Sequence, residues 1–310
     1  MFLVSIMVSC DTSINKSTTN NEDKTNQYIT VLGTTQDAGY PHIGCQKKCC
    51  NIYYTGIKKK QKVVSLGLID IKNNGKWLFE ATPDISTQLA DLDQNHLKKE
   101  TIIDGVFLTH AHIGHYSGLM YFGREALGGK NIKLFTMPRM KKFLSQNGPW
   151  SQLVKLENII FSDLQNDSII TLNDQLKVTP FLVPHRDEFS ETIGFKIKGK
   201  RKTALFIPDI NKWEKWEKDI VEEVKNADFA FLDATFFKDG EIKRLMSEIP
   251  HPFIEETINL FKNETFETKN KVIFIHFNHT NPALQENSPE RKKIEKQGFQ
   301  FAFEGMRVEL

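Results

Sequence analysis

From Tyr28 onward the chain alternates apolar runs of strand length with segments whose apolar residues recur at helical spacing, and the alternation continues to the C-terminus. The runs YITVLG, VVSLGLIDI, KWLFEA and IIDGVFLT predict four strands, two of them joined by the hairpin turn KNNG. Helices are expected at ISTQLADL and HYSGLMYFGREAL, and further strands at IKLFTM, IIFSDL, LKVTPFLV, TIGFKIK, TALFIP, FAFLDATF and KVIFIHF. The clearest helical pattern is NKWEKWEKDIVEEVKN, where Trp213, Trp216, Ile220 and Val224 form one stripe opposite a charged face. Such a stripe is core packing rather than a ligand surface. Hairpin-rich strands followed by mixed strands and helices predict an α/β fold of two mixed sheets facing each other, with helices outside. No repeat, coiled coil or interior linker breaks the pattern, so residues 28–310 are expected to form one domain.

Composition narrows the class without choosing a function. The chain has 310 residues with 39% apolar content, enough for a full core. Lys and Arg number 41 against 39 Asp and Glu, a formal net charge of +2, so no overall field favours nucleic acid or anionic membranes. An acidic substrate would have to be held locally. No interior stretch approaches the ~20 apolar residues of a membrane span.

The first residues follow a different pattern. MFLVSIMVSC is apolar, with small residues just before Cys10, and the DTSINKSTTNNEDKTNQ after it is polar without hydrophobic period. A short apolar segment, small residues, a cysteine and a flexible tether are the layout of a bacterial lipoprotein signal. Residues 1–27 are therefore expected to be signal and tether, with Cys10 lipidated and the protein periplasmic or anchored at the outer membrane. A plain cytoplasmic N-terminus is the alternative, because no Lys or Arg precedes the apolar run of nine residues.

The other three cysteines, Cys45, Cys49 and Cys50, fall within six residues. Adjacent cysteines make a poor start for a disulfide framework, whereas a tight thiol cluster is a soft ligand set suited to zinc. A second concentration of chemistry is LTHAHIGHYSGL, where a strand ending at Thr109 delivers His110, with His112 and His115 on the following turn and helix start. A lone histidine is usually solvated or packed. Three at this spacing can face one point, and three imidazole nitrogens with water make a catalytic zinc set. His185 closes VTPFLVPH, Asp209 closes TALFIPD, His276 lies near the end of KVIFIHF, and Asp84 ends FEATPD. Each could serve a turn, and Asp84 and Asp209 could cap helices, yet jointly they place nitrogen and oxygen ligands at strand termini.

In these residues the chain resembles the metallo-β-lactamase-fold hydrolases, over most of its length after Tyr28. The resemblance implies a four-layer αββα sandwich carrying the pattern His-x-His-x-Asp-His, a later His, an Asp bridging two metals and a final His. On this sequence it implies His110, His112 and His185 at a first metal, His115 and His276 at a second, and Asp209 between them. It also implies Asp84 as a strand-end acid that orients a ligand histidine from behind. VLGTTQDAGYPHIGC with its following cysteines, and FIHFNHTNPAL, resemble the pyrroloquinoline quinone biosynthesis protein B and phosphonate-pathway cyclic phosphodiesterase families. In both, an early cysteine cluster and a late histidine hold a structural zinc, which implies one tetrahedral site of Cys45, Cys49, Cys50 and His279 here. The spacing is Cys-x-x-x-Cys-Cys rather than those families' Cys-x-Cys-x-x-Cys, so one cysteine could be a spectator with His42 in its place.

The motif also departs from the family at Gly114, where the family has an acid that binds the second metal. One tight active-site metal, zinc or manganese or iron, and a weak second one are the expectation. Asp37, in the QDAG loop, could stand in for the acid, support the site from behind, or simply serve its turn. A metal held by three histidines and Asp209 supplies hydroxide at neutral pH and polarises a phosphoryl or carbonyl oxygen, which predicts hydrolysis. LDATFF and IPHPFIEET resemble the ribonuclease Z subfamily, where a histidine assists the leaving oxygen. His251 is the matching residue here, with Asp233 either orienting it or merely ending a strand. The expected function is a metal-dependent hydrolase of a small phosphodiester-type substrate, with Asp209 and His251 catalytic and no specific nucleic-acid partner. Two alternatives stand beside it: a cofactor-biosynthesis protein like protein B of the quinone pathway, and a zinc-binding periplasmic protein without turnover.

Overall fold

A computed structural model describes residues 26–310 apart from 244, 246 and 247, so Cys10 and its expected lipidation lie outside the described residues. The first sheet is built from β1 (Gln27–Gly33), β2 (Ser65–Asp70), β3 (Gly75–Phe79), β4 (Gly105–Phe107), β5 (Ile132–Thr136) and β6 (Ile159–Asp163). The second contains β7 (Ile170–Asn173), β8 (Leu176–Leu182), β9 (Ile193–Lys198), β10 (Thr203–Ile207), β11 (Phe229–Asp233), β12 (Val272–Ile275) and β13 (Gln300–Phe301). The last strand, β14 (Arg307–Glu309), returns to the first sheet beside β1.

The two sheets repeat one plan. In the order β14-β1-β2-β3-β4-β5-β6 the first four strands are antiparallel and the rest run parallel. In β13-β12-β11-β10-β9-β8-β7 the strands from β10 to β13 are parallel and those from β7 to β10 antiparallel. Both sheets are therefore mixed, as the pattern predicted. Val31, Leu66, Phe79, Phe107, Phe195 and Phe206 are fully buried in the core cluster that draws on both sheets. There the Phe107 ring stacks on Phe79 and Phe135 at 4.8 and 4.1 Å. Two further apolar clusters join each sheet to its helices, which completes the four layers.

The longest helical pattern is the main departure from expectation. Trp213–Lys215 is a single 3₁₀ turn, Trp216 is extended, and the α-helix is only Ile220–Lys225. The cause is local: Asp219 accepts hydrogen bonds from Val221 N and Glu222 N and starts the helix there. Trp213 and Trp216 donate their indole N–H groups to Thr257 Oγ1 and Leu182 O, so the apolar stripe is core as expected, without a continuous helix beneath it. The expected helix HYSGLMYFGREAL is likewise a short helix, Ile113–Tyr116, followed by a 3₁₀ segment, Ser117–Phe122. Among the described residues no helix is long and apolar enough to cross a membrane.

Candidate metal centre and active site

Most expected ligands lie just beyond the C-terminal end of a strand, while His112 caps and His115 lies within the short helix Ile113–Tyr116 after β4. β4 leads to Thr109 and His110, β8 to His185, β10 to Asp209, β11 to Asp233 and β12 to His276. Two of the turning residues adopt the left-handed region: His276 with φ 69° and Glu80, directly after β3, with φ 74°. Non-glycine residues enter that region at a cost of ~1–3 kcal/mol, and here both turn a side chain inward at a strand end.

Asp209 is the common neighbour. Its Oδ2 lies 3.3 Å from His110 Nε2, 3.8 Å from His115 Nε2 and 4.0 Å from His276 Nε2, while Oδ1 lies 3.2 Å from His185 Nε2. Ligand atoms of His110, His112, His185 and Asp209 form one compact group, and those of Asp37, His115 and His276 form an adjoining one. Burial works against charge on Asp209, but the surrounding His185 and His251 hold its carboxyl well below the usual range.

Neighbours select the tautomer of His110, His112, His115 and His276. His110 Nδ1 lies 2.9 Å from Thr109 Oγ1, leaving Nε2 for the centre. His112 Nε2 lies 3.3 Å from Glu188 Oε2, leaving Nδ1, and His115 Nδ1 faces Glu80 Oε1 at 3.6 Å, leaving Nε2. Thr235 Oγ1 donates to Asp233 Oδ1 at 2.7 Å and so accepts from His276 Nδ1 at 2.8 Å, which frees His276 Nε2. Two of the inward atoms, His110 Nε2 and His112 Nδ1, lie 2.8 Å from each other. His115 Nε2, His185 Nε2, His276 Nε2 and Asp209 Oδ1 are buried without a hydrogen-bond partner, an arrangement that fits a cation and is costly without one.

His251 borders the same cluster. Its Nδ1 lies 2.9 Å from Asp233 Oδ2 and 3.1 Å from Asp209 Oδ1. Burial opposes protonation, yet the Asp233 and Asp209 carboxylates overcome it and raise the imidazole to about 10. Asp233 does more than end its strand: one oxygen holds His251, and the other accepts both the N–H and the hydroxyl of Thr235.

Asp84 is not where the resemblance put it. Its carboxylate accepts from Lys60 Nζ at 2.5 Å and Val63 N at 3.0 Å, and caps no helix through its side chain. The acid facing a ligand histidine is Glu80, because β3 stops at Phe79 and the chain turns at the very next residue. Asp84 comes one loop later. Gly118 sets how closely this turn meets the histidine helix: a Cβ there would lie 2.0 Å from Thr82 O. Glu80, Thr109, Glu188 and Thr235 were missed from sequence. Glu80, Thr109 and Thr235, beside strand ends in FEATPD, LTHAH and LDATFF, carried a positional signal, and Glu188 carried none.

At the other end of the loop the sulfurs of Cys45, Cys49 and Cys50 converge with a ring nitrogen of His279. Cys45 Sγ and Cys49 Sγ are 3.7 Å apart, and Cys50 Sγ accepts from His42 N. All three thiols lie within reach of one shared position. His42 stays outside the set, its ring against that of His279 at 4.1 Å and its Nδ1 beside Ile43 O. Three sulfurs and one nitrogen suit tetrahedral zinc.

Comparison with known proteins agrees with this fold. Coenzyme PQQ synthesis protein B of Pseudomonas syringae pv. tomato is 26% identical over 312 residues, covering 91% of this chain and 100% of that protein. The crystal structure of Zn(2+)-bound PqqB from Methylobacterium extorquens superposes with a TM-score of 0.75 at 21% identity, covering 91% of this chain and all of the other. A diphosphatase from the PhnP family gives a TM-score of 0.62 at 22% identity, over 92% of this chain and 97% of its own. The family model described as the beta-lactamase superfamily domain matches residues 76–277, more than half of the chain, and this protein therefore belongs to that superfamily and has the metallo-β-lactamase fold.

Proposed function

We propose that the protein is a metal-dependent hydrolase acting on a small phosphorylated molecule, with a phosphodiester or related phosphoryl bond as the cleaved linkage. The observation that carries this reading is the convergence of His110, His112, His185 and Asp209 beside a histidine, His251, whose Nδ1 is fixed by Asp233. A divalent ion in such a set activates water and polarises a phosphoryl oxygen. The chain's own contribution is positional: Thr109, Glu188, Glu80 and Thr235 hold four imidazoles in the tautomer that presents a lone pair inward. Asp233 Oδ2 keeps a proton on His251 Nδ1, and His251 serves the leaving oxygen as general acid. The diphosphatase of the PhnP family, which shares the fold, supports the choice of a phosphoryl substrate.

A second reading has its own support. The match to coenzyme PQQ synthesis protein B runs the full length of that protein, which favours a role in cofactor biosynthesis. Turnover separates the two. The metal-loaded protein should hydrolyse an activated phosphodiester in a panel that also holds lactone, thioester and β-lactam substrates. His112→Ala should abolish that activity, and His251→Gln should slow poor leaving groups far more than good ones. No turnover on any panel, with metal bound, would reject the hydrolase reading.

A further inference from the structure

The glycine in HAHIGH is occupied space, not an empty ligand position. A Cβ at Gly114 would lie 2.4 Å from Asp37 Cα and 2.5 Å from Asp37 Oδ1, closer than side chains approach, so the place left open at residue 114 is filled by Asp37. Asp37 Oδ1 accepts the Gly114 N–H at 2.9 Å and lies 3.7 Å from His115 Nε2, and it belongs to one compact group with His115 and His276. The two imidazole nitrogens facing it, His115 Nε2 and His276 Nε2, are fully buried and unpaired.

Asp37 is also held in place rather than swinging at a loop tip. Gln36 Nε2 donates to its Oδ2 at 2.7 Å. The flanking backbone is tied to the segment that carries His276: Gln36 N donates to Phe277 O at 3.0 Å, Phe277 N to Thr34 O at 2.9 Å, and Thr35 bridges Phe277. One ladder therefore fixes Asp37 and His276, two of the residues at the second position. A turn-forming role alone would not require the histidine motif to surrender its side chain at residue 114.

We infer that Asp37 is the carboxylate ligand of a second divalent cation, with His115, His276 and the shared Asp209, so that the acid absent from the motif is supplied from the loop after β1. The inference rests on the metal-dependent reading above and adds to it that the second position has a full ligand set. Gly114→Asp, although it restores the family's motif, should therefore weaken the second site by displacing Asp37.

Metal retention tests this without substrate. The purified full chain is loaded with Zn²⁺, dialysed against a competing chelator, and its ions per chain are counted, with cobalt absorption as a second readout. Asp37→Ala and the near-isosteric Asp37→Asn should each lose one ion per chain, with affinity there down at least about 100-fold. The ions at His110, His112 and His185 and at the cysteine cluster should stay, and their retention shows that the variant is folded. The double variant Asp37→Gly with Gly114→Asp should bind the second ion more tightly than Asp37→Gly alone. Wild-type retention in Asp37→Asn, or a double variant no tighter than Asp37→Gly, overturns the inference. A protein that turns over nothing but loses the ion as described overturns the hydrolase reading and leaves this one standing.

Discussion

Replacing Thr235 with valine removes one hydroxyl from the centre of the network while keeping the side chain's shape. That hydroxyl donates to Asp233 Oδ1 at 2.7 Å and accepts from His276 Nδ1 at 2.8 Å. Asp233 Oδ1 keeps the Thr235 N–H at 2.9 Å, so the carboxylate is only partly deprived. His276 Nδ1 loses its hydrogen-bond acceptor, with Asp233 Oδ1 left 3.8 Å away, and the ring is fully buried. An orphaned buried donor costs ~1–3 kcal/mol, which the ring can avoid by moving its proton to Nε2. That tautomer no longer offers the lone pair to a cation. Either way the second metal position loses, by about 10- to 100-fold in affinity, equivalent to ~1.4–2.7 kcal/mol.

The assay is a competition titration with a chelating indicator, run on Thr235→Val, Thr235→Ser and the parent, together with thermal melts of the ion-free proteins. Thr235→Ser keeps the hydroxyl and should stay within a few fold of the parent. Thr235→Val should lose affinity at the second position only, because His110, His112 and His185 do not touch Thr235. Parent-like binding and melting in the valine variant would refute the claim that this hydroxyl sets the His276 tautomer.

Two further outcomes follow from residues away from the centre. Asp70 is fully buried and accepts from Gln27 Nε2, Asn73 N, Asn73 Nδ2 and Asn173 Nδ2; burial alone would raise its carboxyl, but these donors depress it. A depressed folded value stabilises above the unfolded one near 3.9. Asp70→Asn should therefore cost ~1–3 kcal/mol at neutral pH, and its deficit in a denaturant titration should shrink as pH falls below ~4; a deficit constant with pH would contradict the assignment. We also propose, from the N-terminal sequence alone, that the protein is a lipoprotein: Cys10→Ala should move it from the membrane to the soluble fraction, and an unacylated native chain retaining residues 1–9 would reject the idea.

Much of the fold was legible because apolar runs bounded by turn formers state strand positions directly. KNNG joins β2 and β3 as read, with Asn74 at φ 50° completing the turn. What escaped was decided by neighbours rather than by local pattern. β7, β13 and β14 are four residues or fewer and gain strand character only by pairing at sheet edges. The run from Trp213 to Val224 has helical spacing because both halves face one core cluster, yet Asp219 separates them. Periodicity reports which residues are buried, and a cap decides where a helix starts.

The site shows the same division between identity and placement. His110, His185, Asp209 and His276 were readable beside strand ends, His112 and His115 from their spacing after His110, and His251 through the resemblance, each with a residue type suited to metal or proton work. The acids were harder, because an acid's role depends on which way the chain turns. Asp84 has the residue type expected at its strand end, but the left-handed turn at Glu80 gives the histidine contact to the earlier residue. Gly114 is the sharpest case. Equating a ligand place with a sequence position makes the glycine a loss, whereas in space that place is reached by a residue 77 positions away whose Oδ1 accepts the glycine's own N–H. A glycine inside a metal motif therefore calls for a search of neighbouring loops for an acid, because dropping the side chain is what admits one from elsewhere.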